Sequence, residues 1–153
     1  MKYKVTLLFC ILLGFVLGTT TAAVNSSKSK RRYIKLATTS PQAPFSDGVL
    51  VGNTLYLSGR IGYDPKTLKI PDDLEQEIRL ALDGMKATLA EVGMTMDNLV
   101  SVQIFCPEPK HYDKFNEVYK TYFKGQLPAR AFIGSGQLLL EGHFEIQGIA
   151  AKE

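Results

Sequence analysis

Cysteine is scarce in this chain of 153 residues: only Cys10 and Cys106 occur. Cys10 lies inside an N-terminal apolar run, so the domain that follows keeps one cysteine and has no intramolecular disulfide to rely on. Histidine is equally scarce, and neither His111 nor His143 has a second ligand at the spacing of a metal site. Glycine-rich phosphate loops and a Ser/His/Asp arrangement are missing. Charge of one sign is lacking too, with eighteen Lys and Arg against fifteen Asp and Glu. Without Lys2 and Lys4 the balance is sixteen against fifteen, a net +1, which argues against a general nucleic-acid binder.

Long hydrophobic runs are absent except for one. Lys2 and Lys4 precede an uncharged, largely apolar stretch from Val5 to Leu17, followed by Gly18 and the small residues Thr19 to Ala23. The stretch falls short of the ~20 residues needed to cross a bilayer as a helix, and its flanks are those of a secretory signal. The sequence predicts a cleavable signal over 1–23, cut after Ala22 or Ala23, an exported product (periplasmic or secreted), and no stable membrane insertion after cleavage. Residues 24–32, with Lys28, Lys30, Arg31 and Arg32, read as a basic disordered leader. Residues 33–153 are then one domain, long enough to bury a core without staples.

Tyr33 to Ala37 reads as a first strand, and two prolines mark the loop from Pro41 to Asp47. Gly48–Val51 and Thr54–Ser58 flank Gly52-Asn53, a hairpin signal. From Asp72 the period changes: Leu74, Ile78, Leu82, Met85, Leu89 and Val92 form a helical stripe that ends at Gly93, with Asp72 and Asp73 as capping residues. Leu99 to Cys106 reads as a buried strand, His111 to Phe123 as a second helix, and Arg130 to Gly134 and His143 to Ala151 as closing strands. The order β-β-β-α-β-α-β-β predicts an α+β domain, a mixed sheet with two helices packed on one face.

The residues most suggestive of chemistry are Arg130, set after Pro128 at a strand mouth, and Glu145 in the next apolar stretch. A guanidinium matches a carboxylate through two parallel hydrogen bonds, which suits a small organic acid. Spacing alone reads Arg130 and Glu145 equally well as an ion pair. Strand alternation turns Glu145 away from Phe144 and Ile146. Ser58 reads foremost as a strand-end hydroxyl satisfying backbone, Asn116 as a mid-helix hydrogen-bonding residue, and Cys106 as a buried small hydrophobe.

Several fragments, in this order, are similar to the reactive-intermediate deaminase (RidA, or YjgF) family: Ala43-Pro44-Phe45-Ser46, Val51-Gly52-Asn53, Leu57-Ser58-Gly59 with Asp64-Pro65, the pair Asn116 and Tyr119, Pro128-Ala129-Arg130, and Glu145-Ile146 with Ile149-Ala150. The resemblance spans Ala37 to Lys152. It implies a chorismate-mutase-like protomer, a homotrimer with ligand clefts between subunits, and hydrolysis of 2-imino acids or their enamine tautomers to 2-oxo acids and ammonia without metal or organic cofactor. On it, Arg130 clamps the substrate carboxylate and Glu145 positions or activates water. Ser58, Gly59, Phe45, Asn116 and Phe132 line or support the cleft.

The sequence also departs from the family pattern. Phe45 stands where tyrosine is common, Phe132 where a small residue is common, and Asp47 and Arg60 where glutamine is frequent; Arg60 reads as a second cation and Phe132 as a bulk that narrows the cleft. The alternative function is a non-catalytic module of the same fold that binds small carboxylates or acts as a chaperone-like surface. RNA binding or cleavage, attached to some relatives, is disfavoured by the balanced charge.

Overall fold

The computed structural model describes residues 30–153. The expected signal and residues 24–29 of the expected leader lie outside the described residues. Six strands form one mixed sheet: β1 (Arg31–Ile34), β2 (Gly48–Val51), β3 (Thr54–Ile61), β4 (Leu99–Cys106), β5 (Ala129–Gly134) and β6 (Glu145–Ala151), in the spatial order β1-β2-β3-β6-β4-β5. Only the β4–β5 pair of neighbours is parallel. Helices α1 (Leu74–Ala90) and α2 (Tyr112–Lys120) are the crossovers, the first leading from β3 to β4 and the second from β4 to β5.

Several boundaries differ from the sequence reading. The first strand is Arg31–Ile34 and not Tyr33 to Ala37, so Arg31 and Arg32, expected in the leader, pair with Val51 and Leu50 of β2. A charged strand at a sheet edge carries no apolar alternation to reveal it. The second helix proper starts at Tyr112 after a 3₁₀ turn, Pro109–His111, and ends at Lys120. The last strand starts at Glu145, because His143 and Phe144 donate their backbone N–H groups to a side chain.

Local chemistry accounts for the best-placed elements. In the β2–β3 hairpin Gly52 takes φ 60° and Val51 pairs with Thr54. The Asp73 side chain accepts from the Glu75 N–H at 3.0 Å to cap α1. At the other end Gly93 adopts φ 64° while the Met94 N–H returns to the Leu89 carbonyl at 3.0 Å, the Schellman closure. Between these caps Ile78, Ala81, Leu82, Met85 and Leu89 are buried against the sheet. From α2, Phe115, Val118 and Tyr119 join Leu55, Val102, Ile104, Phe144 and Ile146 in the same core.

The other face of the sheet has no helix among the described residues. Strand β6 alternates so that Ile146, Gly148 and Ala150 are buried under the helices while Glu145, Gln147 and Ile149 point to the uncovered side. Register carries this across the sheet: Ser101, Gln103 and Phe105 of β4 pair with Ile149, Gln147 and Glu145. The pairing of β3 with β6 jumps from Leu57↔Gly148 to Arg60↔Ile146, which leaves Ser58 and Gly59 as a bulge opposite Gln147.

Candidate functional site

Arg130 is the second residue of β5 and registers with Val102 of β4, whose side chain is buried under the helices. Its side chain therefore lies on the helix face, against α2. There Nη1 donates to Asn116 Oδ1 at 2.7 Å and Nη2 to the Tyr112 hydroxyl at 3.4 Å. The guanidinium carbon sits 5.0 Å from the centre of the Tyr119 ring and 5.6 Å from that of Tyr112, within cation–π range. Tyr112, Asn116, Tyr119, Lys120, Leu127, Pro128 and Arg130 surround a cavity of about 230 Å³. These contacts leave the remaining N–H groups of the guanidinium without a protein acceptor among the described residues. Such a fork, fixed at its base and bordered by aromatic walls, has the planar donor geometry that matches a carboxylate.

Two aromatic residues outside the expected site, Tyr112 and Tyr119 of α2, also line this cavity. Tyr112 is 44% exposed and stands at the cavity rim. Tyr119 is only 2% exposed and its hydroxyl has no hydrogen-bond partner among the described residues. Burial pushes its phenol up to about 12, against a smaller downward pull from the Arg130 guanidinium. The signal for both was present in their spacing from Asn116, four residues before and three after, which puts all three on one side of α2.

The ion pair between Arg130 and Glu145, left open by spacing, does not form. Glu145 registers with Phe105 on the uncovered face, the side opposite to Arg130. Its carboxylate lies over Gly59, so closely that a Cβ there would fall 1.9 Å from Oε1. The bulge at Ser58-Gly59 and the absence of a side chain at Gly59 thus make the seat for this carboxylate. Ser58 donates its hydroxyl proton to the Ser46 carbonyl at 2.6 Å, the backbone-satisfying role. Beside it, Phe45 is 53% exposed and borders a shallow cleft of about 530 Å³ with Tyr33, Lys35, Ser46 and Val49. The expected site residues thus fall into two groups on one chain. Arg130, Asn116 and Phe132 lie on the helix face; Glu145 and Gly59 lie on the uncovered face, with Ser58 and Phe45 beside the bulge.

Three of the residues that depart from the family pattern have partners within the chain. Arg60 is not a second cation for a ligand, because its Nη2 is bonded at 2.5 Å to Asp47, which is 4% exposed and also accepts from Leu36 N and the Thr39 hydroxyl. The two residues that replace glutamine thus satisfy each other. The partly buried Phe132 ring meets Tyr112 edge-on at 5.0 Å and Phe115 at 5.7 Å.

One polar feature was missed altogether. Glu77, fully buried on α1, accepts from His143 N at 2.7 Å and Phe144 N at 3.1 Å through Oε1, while Oε2 faces His143 Nδ1 at 2.7 Å. It tethers the start of β6, two residues before Glu145. Its position within the apolar stripe, three residues after Leu74 and four before Ala81, was the available clue.

Residues 36–152 match the model of the family described as Endoribonuclease L-PSP, the grouping that includes the RidA and YjgF proteins. The chain belongs to this family. Among RidA/YjgF relatives, the chain is 33% identical over 114 residues to a RutC family protein of Aquifex aeolicus, covering 73% of this chain and 91% of that one. It is 34% identical over 110 residues to the 2-iminobutanoate/2-iminopropanoate deaminase of Mus musculus, covering 71% and 82%. The YjgF gene product of E. coli superposes with a TM-score of 0.73 at 27% identity, covering 80% of this chain and 99% of that one. E. coli TdcF with bound serine gives 0.73 at 28%, covering 80% and 100%. The expected α+β RidA-like fold is therefore the fold observed.

Proposed function

We propose that this RidA/YjgF protein hydrolyses 2-imino acids, or their enamine tautomers, to 2-oxo acids and ammonia. The observation that carries the reading is the Arg130 fork, anchored by Asn116 and open to a small cavity. Curated relatives named 2-iminobutanoate/2-iminopropanoate deaminase, at 34% identity, supply the reaction class.

The chemistry asks little of the protein. A protonated imine carbon is already electrophilic, so fixing the acid end on Arg130 and aiming water at that carbon provides much of the acceleration. Glu145 accepts a proton as the water oxygen bonds to carbon, giving a carbinolamine. Glu145 passes that proton to nitrogen, and as the C–N bond breaks the hydroxyl returns a proton to Glu145, releasing ammonia and leaving the 2-oxo acid. Since Arg130 and Glu145 occupy opposite faces of the sheet, this site is completed by a second copy of the chain, whose Glu145, Gly59 and Ser58 face the first copy's Arg130. The homotrimer implied by the family resemblance supplies that arrangement, with the uncovered face, bearing exposed Tyr33 and Tyr56, turned toward neighbouring subunits.

The test is to generate 2-iminopropanoate with an amino-acid oxidase and follow its loss. Acceleration over buffer that Arg130→Ala removes is expected; no acceleration ends the reading. A non-catalytic carboxylate-binding module draws on exposed Phe45, which offers no hydroxyl, and on Ser58, whose proton is already engaged. It predicts pyruvate binding without turnover. RNA cleavage, the activity in the family description, fits less well: a cavity of about 230 Å³ whose cations are Arg130 and Lys120 suits a small acid better than a polyanion. Export belongs to the same proposal and is tested by N-terminal sequencing of the protein recovered outside the cytoplasm. A mature terminus at Ala23 or Val24 is the expected result.

A further inference from the structure

We infer that Tyr112 is a substrate-contacting residue, its hydroxyl donating a hydrogen bond to the same carboxylate that Arg130 grips, and that Phe132 is the positioning residue that holds its ring. This rests on the proposed carboxylate site.

One hydrogen bond at the guanidinium has a fixed direction. A guanidinium has donors only, so in the 3.4 Å contact between Arg130 Nη2 and the Tyr112 hydroxyl the phenol oxygen accepts. Its proton then points elsewhere, and no acceptor for it exists among the described residues. The hydroxyl borders the cavity into which the guanidinium opens. A carboxylate oxygen on the outer edge of the guanidinium would be the missing acceptor, and binding would convert a long arginine–tyrosine contact into a closed three-member array.

The ring is held for this role. Phe132 meets it edge-on at 5.0 Å with an interplanar angle of 83°, and Phe132 in turn leans on Phe115, which is fully buried. Two peculiarities of the sequence then have one explanation. Phe45 has no hydroxyl to offer a ligand, and the bulky Phe132 supports the residue that does.

Pyruvate binding is measured by protein-detected NMR titration on the full chain, alongside turnover of 2-iminopropanoate. A hydrogen bond to a charged group is worth enough that Tyr112→Phe raises the pyruvate Kd roughly tenfold or more. KM for the imino acid rises in step while kcat changes little, a split that general damage to the fold would not give. Phe132→Leu, which keeps the hydroxyl but loosens the ring, produces a smaller rise in the same direction. Pyruvate affinity of Tyr112→Phe within twofold of wild type, with binding lost in Arg130→Ala, overturns the inference and leaves the Arg130 site standing. Pyruvate affinity unchanged in Arg130→Ala removes both.

Discussion

Replacing Glu77 separates what its shape does from what its charge does. Its Oε1 satisfies two backbone donors, His143 N and Phe144 N, and its Oε2 faces His143 Nδ1. Glu77→Leu removes every acceptor while filling similar volume. Each N–H left unpaired away from water costs about 1–3 kcal/mol, so the pair amounts to roughly 2–6 kcal/mol. Relief from burying a carboxylate reduces this, and a loss of about 2–4 kcal/mol is expected. Glu77→Gln keeps an oxygen for both backbone donors, and its amide can donate to Nδ1 once the imidazole carries its proton on Nε2. It should cost about 1 kcal/mol or less. The assay is urea unfolding followed by circular dichroism at matched protein concentration, since assembly makes the midpoint concentration-dependent. Equal losses in the two variants would refute the reasoning, as would a leucine variant as stable as wild type. The same pair reports on function, because Glu77 fixes the start of the strand carrying Glu145: activity should fall in Glu77→Leu and largely survive in Glu77→Gln.

Gly59→Ala places a methyl group 1.9 Å from the Glu145 carboxylate oxygen, forcing that side chain aside at a stability cost of about 1–3 kcal/mol. Because a general base contributes ~10²–10⁴-fold, imine hydrolysis should drop at least a hundredfold, and an unimpaired Gly59→Ala enzyme would deny Glu145 its part. At high pH two phenols, the buried Tyr119 and the partly buried Tyr122, oppose unfolding less and less: both are pushed up to about 12, each chiefly by burial, against about 10 in the unfolded chain. Between about pH 10 and 12 the unfolded state therefore binds fewer protons than the native one, so stability is full below that window and falls as pH rises through it. Urea midpoints should decline across that range, less steeply in Tyr119→Phe; a wild-type midpoint that stays flat would contradict the assignment.

The core of this fold was legible because it rests on short-range rules. The helical stripe Leu74 to Leu89, the left-handed Gly93 closure and the Gly52-Asn53 hairpin each follow from local period and turn chemistry, and each element stands where the pattern put it. The edge strand Arg31–Ile34 was missed at its start because its pairing with β2 is non-local and its first residues are charged. Asn116 in mid-helix proclaimed a hydrogen-bonding task, and its partner is Arg130. Sequence could not tell that Asp47 and Arg60 neutralise each other, since they stand thirteen positions apart across a turn and a strand. Nor could it tell that Arg130 and Glu145 face opposite ways. That follows from the register of β4 with both its neighbours, which only the assembled sheet defines.

The central claim is that one copy's Arg130 and another copy's Glu145 serve the same substrate. Arg130→Ala and Glu145→Gln chains, each inactive alone, are to be refolded together in equal amounts and assayed for imine hydrolysis. If every site takes its arginine from one subunit and its glutamate from the next, random mixing rebuilds about one quarter of the sites, and about that share of wild-type activity returns. Mixed assemblies that form but stay as inactive as their parents would contradict the shared site.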